Sequence, residues 1–190
     1  MELIPGLSLG TYINQLAASK QVIRLDETLL LTTQVAEALG YAHRKGVIHQ
    51  DIKPDNILVK ELDQADRPDE PPLRAVVTDF GLARLRRGDF VLSDGEVMGT
   101  LDTMSPEQLL GQPVDGRSDI YSLGVVLYEA ISGQPPFEAA TPWAIIRQHI
   151  TQKPPRLTFQ NGASPAVEAL VAKMLAKTPE DRYQTPAELA

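Results

Sequence analysis

The 190 residues contain no cysteine, so disulfide cross-links and thiolate metal sites are excluded. This usage fits a reducing compartment. Positive charge is also short: 18 Lys and Arg face 25 Asp and Glu, for a net charge of −7 and a pI near 5. That balance argues against a general nucleic-acid or anionic-membrane binder. No apolar run approaches the roughly 20 residues that span a bilayer. The most apolar segment, Ile120 to Ile131, is short and interrupted by Glu129. The start, Met1-Glu2-Leu3-Ile4-Pro5-Gly6, lacks the basic residues and long apolar core of a signal peptide. Nothing in the chain directs export, and a cytoplasmic location is expected.

What is present belongs to an ordinary globular protein, with 43% hydrophobic and 23% charged residues. The length allows one domain with a substantial core, and no internal repeat is found. Leu31, Val35, Ala38, Leu39 and Ala42 lie on one face of a helix expected from about Glu27 to Lys45, with Asp26 as N-cap and Gly46 as terminator. Val47-Ile48, Ile57-Leu58-Val59 and Ala75-Val76-Val77-Thr78 read as brief strands. Residues 61–72, acidic and proline-rich, read as an exposed loop, and Arg84 to Met98 as a mobile one. Helical pattern returns at about Ser118–Ser132 and Pro142–Ile150, and Ser164-Pro165 opens a helix through Ala176. The run from Ile120 is apolar nearly all round, which suits a helix buried in the interior. Thr185-Pro186-Ala187-Glu188 is a capping box that starts a further helix. Because a helix start without a helix is costly, more chain is expected after Ala190.

The chemistry concentrates in His49-Gln50-Asp51-Ile52-Lys53-Pro54-Asp55-Asn56, followed by Asp79-Phe80-Gly81 after the next strands. A carboxylate, a cation and two oxygen donors for a hard metal ion fall in these two stretches. Their order and context resemble the catalytic loop and metal-binding turn of the protein kinase family. Two later motifs extend the resemblance over nearly the whole chain. Gly99-Thr100 with Met104-Ser105-Pro106-Glu107-Gln108 is similar to the end of an activation segment in bacterial members. Arg117-Ser118-Asp119-Ile120-Tyr121-Ser122-Leu123-Gly124 is similar to the start of the buried central helix.

The resemblance implies a mainly α (α+β) fold: a kinase-like C-terminal lobe, a helical bundle with a few short β-strands at the active-site cleft. Residues 1–190 would form a partial kinase domain, the hinge and C-terminal lobe, with the last helix incomplete. The implied reaction is transfer of the γ-phosphoryl group of ATP to a protein Ser or Thr hydroxyl, with Mg²⁺, or Mn²⁺ in its place. It further implies that Asp51 accepts the hydroxyl proton, that Lys53 neutralises the transferred group, and that Asn56 and Asp79 are metal ligands. Thr100 would bond near Asp51 and Lys53. Backbone groups of Glu2 and Ile4 would contact adenine, Ser8 would lie near the ribose, and Leu58 would floor the base. His49 is expected to be a packed scaffold residue, Asp119 to tie the central helix to the catalytic-loop backbone, and Arg182 to pair with Glu107. Lys53 two residues after Asp51 resembles the serine/threonine branch.

Three departures stand out. No glycine-rich phosphate loop, strand lysine or partner glutamate occurs in the 190 residues; these belong to an N-terminal lobe expected upstream of Met1. Impaired transfer by the isolated chain follows, and a catalytically silent half-kinase that docks partners is the alternative. A small-molecule phosphotransferase is disfavoured by the Ser-Pro-Glu segment and the Asp119 helix start. Leu101-Asp102-Thr103 replaces a stretch that more often carries proline and an aromatic residue. Finally, neutral Gln50 stands where many members have an arginine that reads an activation-loop phosphate through charge-assisted hydrogen bonds. Phosphorylation at Ser93 or Thr103 is therefore not expected to be the main switch. Ser93→Ala and Thr103→Ala in the full-length enzyme should retain most activity in a labelled-ATP assay. A large activation that depends on phosphorylating either residue would overturn this.

Overall fold

The computed structural model describes residues 6–62, 72–80, 101–157 and 164–189. A short strand, β1 (Leu7–Ser8), runs directly into α1 (Leu9–Ala18). Ser8 turns the chain between them, its Oγ accepting the Thr11 N–H at 3.1 Å as an N-cap. The long helix α2 (Leu25–Arg44) begins before the expected Glu27, and Asp26 is not its cap. Arg24 occupies the cap position and holds the Asp26 carboxylate at 2.7 Å, so Asp26 complements the dipole from within the first turn. Leu31, Val35, Leu39 and Ala42 are buried as their spacing predicts, with Ala38 half-buried. Thr32 and Ala36 widen the stripe because α2 packs against both the sheet and the central helix.

Gly46, at φ 75°, ends α2 in the left-handed conformation. The Val47 N–H then bonds back to the Ala42 carbonyl at 3.0 Å. Val47-Ile48 is therefore no strand: the amide that a ladder would need closes the helix end instead. The other two strand readings hold, as β2 (Ile57–Glu61) and β3 (Leu73–Val77), joined to β1 in an antiparallel sheet of order β1-β2-β3. Ile57 and Val59 enter the core, while Leu58 points to the other face, paired across the ladders with Ser8 and Val76. The expected loops at residues 61–72 and 84–98 fall largely or wholly outside the described residues.

The remaining helices are α3 (Pro106–Leu109), α4 (Gly116–Ser132), α5 (Pro142–Thr151) and α6 (Pro165–Met174), followed by 3-10 turns at Pro179–Asp181 and Pro186–Glu188. The second of these turns carries the expected capping box. From Ser118 to Ile131, helix α4 is buried at every position except Glu129, as its all-round apolar sequence predicts. A Cβ on Gly124 would lie 2.8 Å from the Met174 Cβ, so the glycine lets α6 approach closely. Leu39, Ile120, Leu123, Leu127, Met174 and Leu175 fill the space between α2, α4 and α6. The result is mainly α, a helical bundle with a small sheet at one end. Among the described residues no helix is long and apolar enough to cross a membrane.

One polar cluster lies inside this bundle. Tyr121 Oη and His149 Nδ1 are 2.9 Å apart, and Phe137 packs edge-on to the imidazole at 4.8 Å. Burial, reinforced by the Lys177 ammonium, pushes the His149 pKa from 6.5 down to about 3. Between those values the unfolded chain takes up a proton that the folded chain refuses, so stability falls as pH falls from 6.5 toward 3. His149→Gln should flatten that part of the stability profile, measured as urea midpoints over a pH series. A slope equal to the parent's would show that His149 is not its source.

Candidate active site

The segment between α2 and β2 is held by side chains from distant parts of the chain. Asp119, buried in the first turn of α4, accepts the His49 N–H at 2.9 Å with Oδ2 and the Gln50 N–H at 2.8 Å with Oδ1. Its Oδ2 also meets His43 Nε2 at 2.7 Å. These bonds hold Gln50 at φ 68°, a left-handed conformation that costs a non-glycine residue roughly 1–2 kcal/mol. His49 is fully buried and is a scaffold residue, as expected. Its Nε2 donates to the Thr78 carbonyl at 2.8 Å, and its Nδ1 accepts the Asp51 N–H at 3.2 Å. Those two partners fix the proton on Nε2.

Downstream of Gln50 the polar groups converge. Asn56 Nδ2 donates to the Asp51 carbonyl at 2.7 Å and to Asp51 Oδ2 at 2.9 Å. Lys53 Nζ lies 3.1 Å from the same Oδ2. Asp51 Oδ1 is buried and has no hydrogen-bond partner among the described residues. Asp51, Lys53 and Asn56 thus form one constellation. Asp79 is brought beside it by Thr78, whose N–H donates to the Asn56 carbonyl at 2.9 Å. Asp79 itself sits at φ 62° and is exposed, with only a marginal 3.5 Å approach from the Thr78 hydroxyl.

Ser8 and Leu58 pair across β1 and β2 and so share a sheet face, although the Ser8 hydroxyl is engaged as the α1 cap. Glu2, Ile4 and Thr100 lie outside the described residues, as do Gly81, Ser93 and Gly99. Thr103 is described and buried.

The metal-ligand assignment can be tested on the donors. With its NH₂ committed to Asp51, Asn56 is left with a carbonyl oxygen, and Asp79 contributes an exposed carboxylate. These are two oxygen donors of the hard type that a divalent ion takes alongside phosphate oxygens.

Behind the site, α3 is locked to the bundle by an ion pair that excludes water. Arg182 donates to Glu107 Oε1 and Oε2 at 2.7 and 2.8 Å, to the Ala176 carbonyl at 2.8 Å, and to the Arg117 and Lys177 carbonyls at 3.1 Å. Ser118 Oγ adds a further hydrogen bond to Glu107. Burial would raise the Glu107 carboxyl, but the bonds from Arg182 and Ser118 outweigh it and hold the group below the usual carboxylate range.

Two contributors escape the sequence reading. His43 shows only as a polar residue in the last turn of α2. Gln108 bonds the Gln50 carbonyl through Nε2 at 2.8 Å, and its signal is readable: Ser105-Pro106-Glu107-Gln108 is a capping box with proline at N1.

The family model described as protein kinase domain matches residues 1–189. Serine/threonine-protein kinase PknB of Mycobacterium tuberculosis is 42% identical over 156 residues, 80% of this chain and 23% of the relative. PknB of Mycolicibacterium smegmatis is 40% identical over 162 residues, covering 84% and 24%. A probable serine/threonine-protein kinase of Streptomyces coelicolor is 36% identical over 183 residues, covering 95% and 26%. The chain spans about a quarter of the length of the curated relatives it matches.

Removing one partner of the buried pair leaves the other charge uncompensated. Arg182→Met should cost about 3–5 kcal/mol in urea unfolding, and Arg182→Met with Glu107→Met clearly less. Equal costs would show that the pair contributes through packing alone.

Proposed function

This chain belongs to the protein kinase family, and on that premise we propose that it transfers the γ-phosphoryl group of Mg-ATP to a Ser or Thr hydroxyl of a protein. By family it is a protein serine/threonine kinase, and the family uses ATP and a divalent ion. The observation that carries the proposal is the asymmetry of Asp51. One carboxylate oxygen is occupied by Asn56 and Lys53, while the other is buried and unpartnered among the described residues. A buried acceptor without a donor is costly and calls for a function. An incoming hydroxyl supplies the missing donor.

In this reading Asp51 orients the substrate hydroxyl and takes its proton, with Asn56 fixing the carboxylate rotamer. Lys53, 3.1 Å from Asp51, stands where it can also meet negative charge on the transferred group. Asn56 and Asp79 would hold Mg²⁺, which when bound neutralises phosphate charge; Mn²⁺ is the alternative ion. Leu58 would support the adenine on the sheet face it shares with Ser8, and Ser8 would lie near the ribose. Glu2 and Ile4 would contribute backbone contacts to the base, and Thr100 a hydroxyl near Asp51. Residues 1–190 would act as hinge and C-terminal lobe, with a phosphate-covering lobe supplied by sequence outside them. A cytoplasmic setting, where ATP is held, completes the proposal.

The test is phosphoryl transfer from labelled ATP by the 190-residue chain and by the full-length protein. The full-length protein should be the active form, and Asp51→Asn should lower its kcat by roughly 10²–10⁴-fold. Asp79→Asn should likewise lower kcat severely and raise the divalent-ion concentration needed for half-maximal rate. A full-length protein that binds partners and transfers nothing would replace this reading with that of a silent interaction module.

A further inference from the structure

We propose that Gln108 is a positioning residue for Asp51, clamping the peptide that carries the base to the helix that follows the activation segment. The proposal rests on the kinase reading for its catalytic consequence and on geometry for the clamp itself. The Gln50–Asp51 peptide unit has two polar ends, and each meets a side chain. Its carbonyl accepts from Gln108 Nε2 at 2.8 Å, and its N–H donates to His49 Nδ1 at 3.2 Å. With Asp119 holding the preceding N–H, the left-handed turn at Gln50 is fixed on three sides.

The orientation of the Gln108 amide follows from what surrounds it. The Gln50 carbonyl can only accept, so it must face the NH₂ group. The Ser105 N–H can only donate, so it must face Oε1, 3.0 Å away. One side chain therefore does two separable things. Its oxygen closes the capping box of α3, with Ser105 Oγ accepting the Gln108 N–H in return. Its nitrogen reaches across to residue 50, 58 positions away in sequence. An apolar residue here would leave both groups unmet, and a glutamate would keep the first and lose the second. Helix α3 is also the element that Glu107 and Arg182 lock to the bundle, so Gln108 extends that fixed framework to the base.

The separation of roles gives the experiment. In the full-length protein, Gln108→Glu should preserve the capping box and the thermal midpoint. It should lower kcat by roughly tenfold, the kinetic equivalent of one lost hydrogen bond, with the KM for ATP within about twofold. As pH falls, the new carboxyl takes up a proton and regains an O–H donor, so the ratio of variant to parent kcat should rise. Ser105→Ala, which breaks the cap but keeps the donor, should lower stability more than kcat. Hydrogen exchange supplies a readout independent of activity. Amides of residues 49–56 should exchange faster in Gln108→Glu and Gln108→Met, while residues 116–132 keep their protection. Parent-like kcat together with parent-like exchange would overturn the proposal. So would a loss of stability alone, since that would reduce Gln108 to its cap. A parent that transfers no phosphate would count against the kinase reading only, because the exchange data still decide whether the clamp exists.

Discussion

The buried carboxylate of Asp119 is the constraint on which the active-site geometry depends. The chain must leave α2 and enter β2 across residues 45–56, and it passes through Gln50, a left-handed residue that is not glycine. Left alone, that backbone would relax. Asp119 prevents this by accepting two successive N–H groups, one on each oxygen, from a position at the start of the most deeply buried helix. Charge-assisted bonds in a dry setting are stronger than neutral ones, so a single side chain can offset strain of this size. His43 completes the coordination of the carboxylate from α2, so helices on both sides of the segment converge on one group.

The same logic explains why ionic and polar groups are buried at all in so small a core. The Glu107–Arg182 pair links residues 75 positions apart, and Arg182 additionally engages three backbone carbonyls. Well-packed apolar residues could stabilise the bundle as well or better. They could not fix the rotation and distance of α3 relative to α4, because hydrophobic packing is non-directional. Under the proposed function, positioning of a few polar atoms is what phosphoryl transfer would require, and directional buried groups can supply it. The core supplies rigidity, while the buried charges supply register.

Much of this was legible in the sequence. The all-round apolar run at residues 120–131 identified the central helix, because burial on every face leaves no polar stripe. The resemblance of the Asp51-to-Asn56 stretch to a kinase catalytic loop pointed to the constellation, and the structure brings its three members together. Val47-Ile48 misled, because β-branched residues favour strands while the amide beside them is used by a helix end, a choice that only tertiary context decides. Asp26 misled for a similar reason: an arginine two residues earlier captured the carboxylate that would have capped. His43 and Gln108 were missed as members of the site because their partners lie 76 and 58 positions away.

At Gln50 these threads meet. Its side chain lacks the cation that many family members carry there, yet both of its backbone polar groups are engaged, the N–H by Asp119 and the carbonyl by Gln108. The path of the loop is therefore specified through the main chain, which is indifferent to the side chain at this position provided that the residue tolerates positive φ. With glutamine at this position the backbone support is complete without a cationic side chain. Glutamine is unbranched at Cβ and can adopt the left-handed conformation at modest cost, whereas a β-branched residue would add steric strain to the turn. Charge at this position bears on what the loop can sense, and backbone conformation bears on where Asp51 stands. In this chain the structure shows the second, fixed through Asp119 and Gln108.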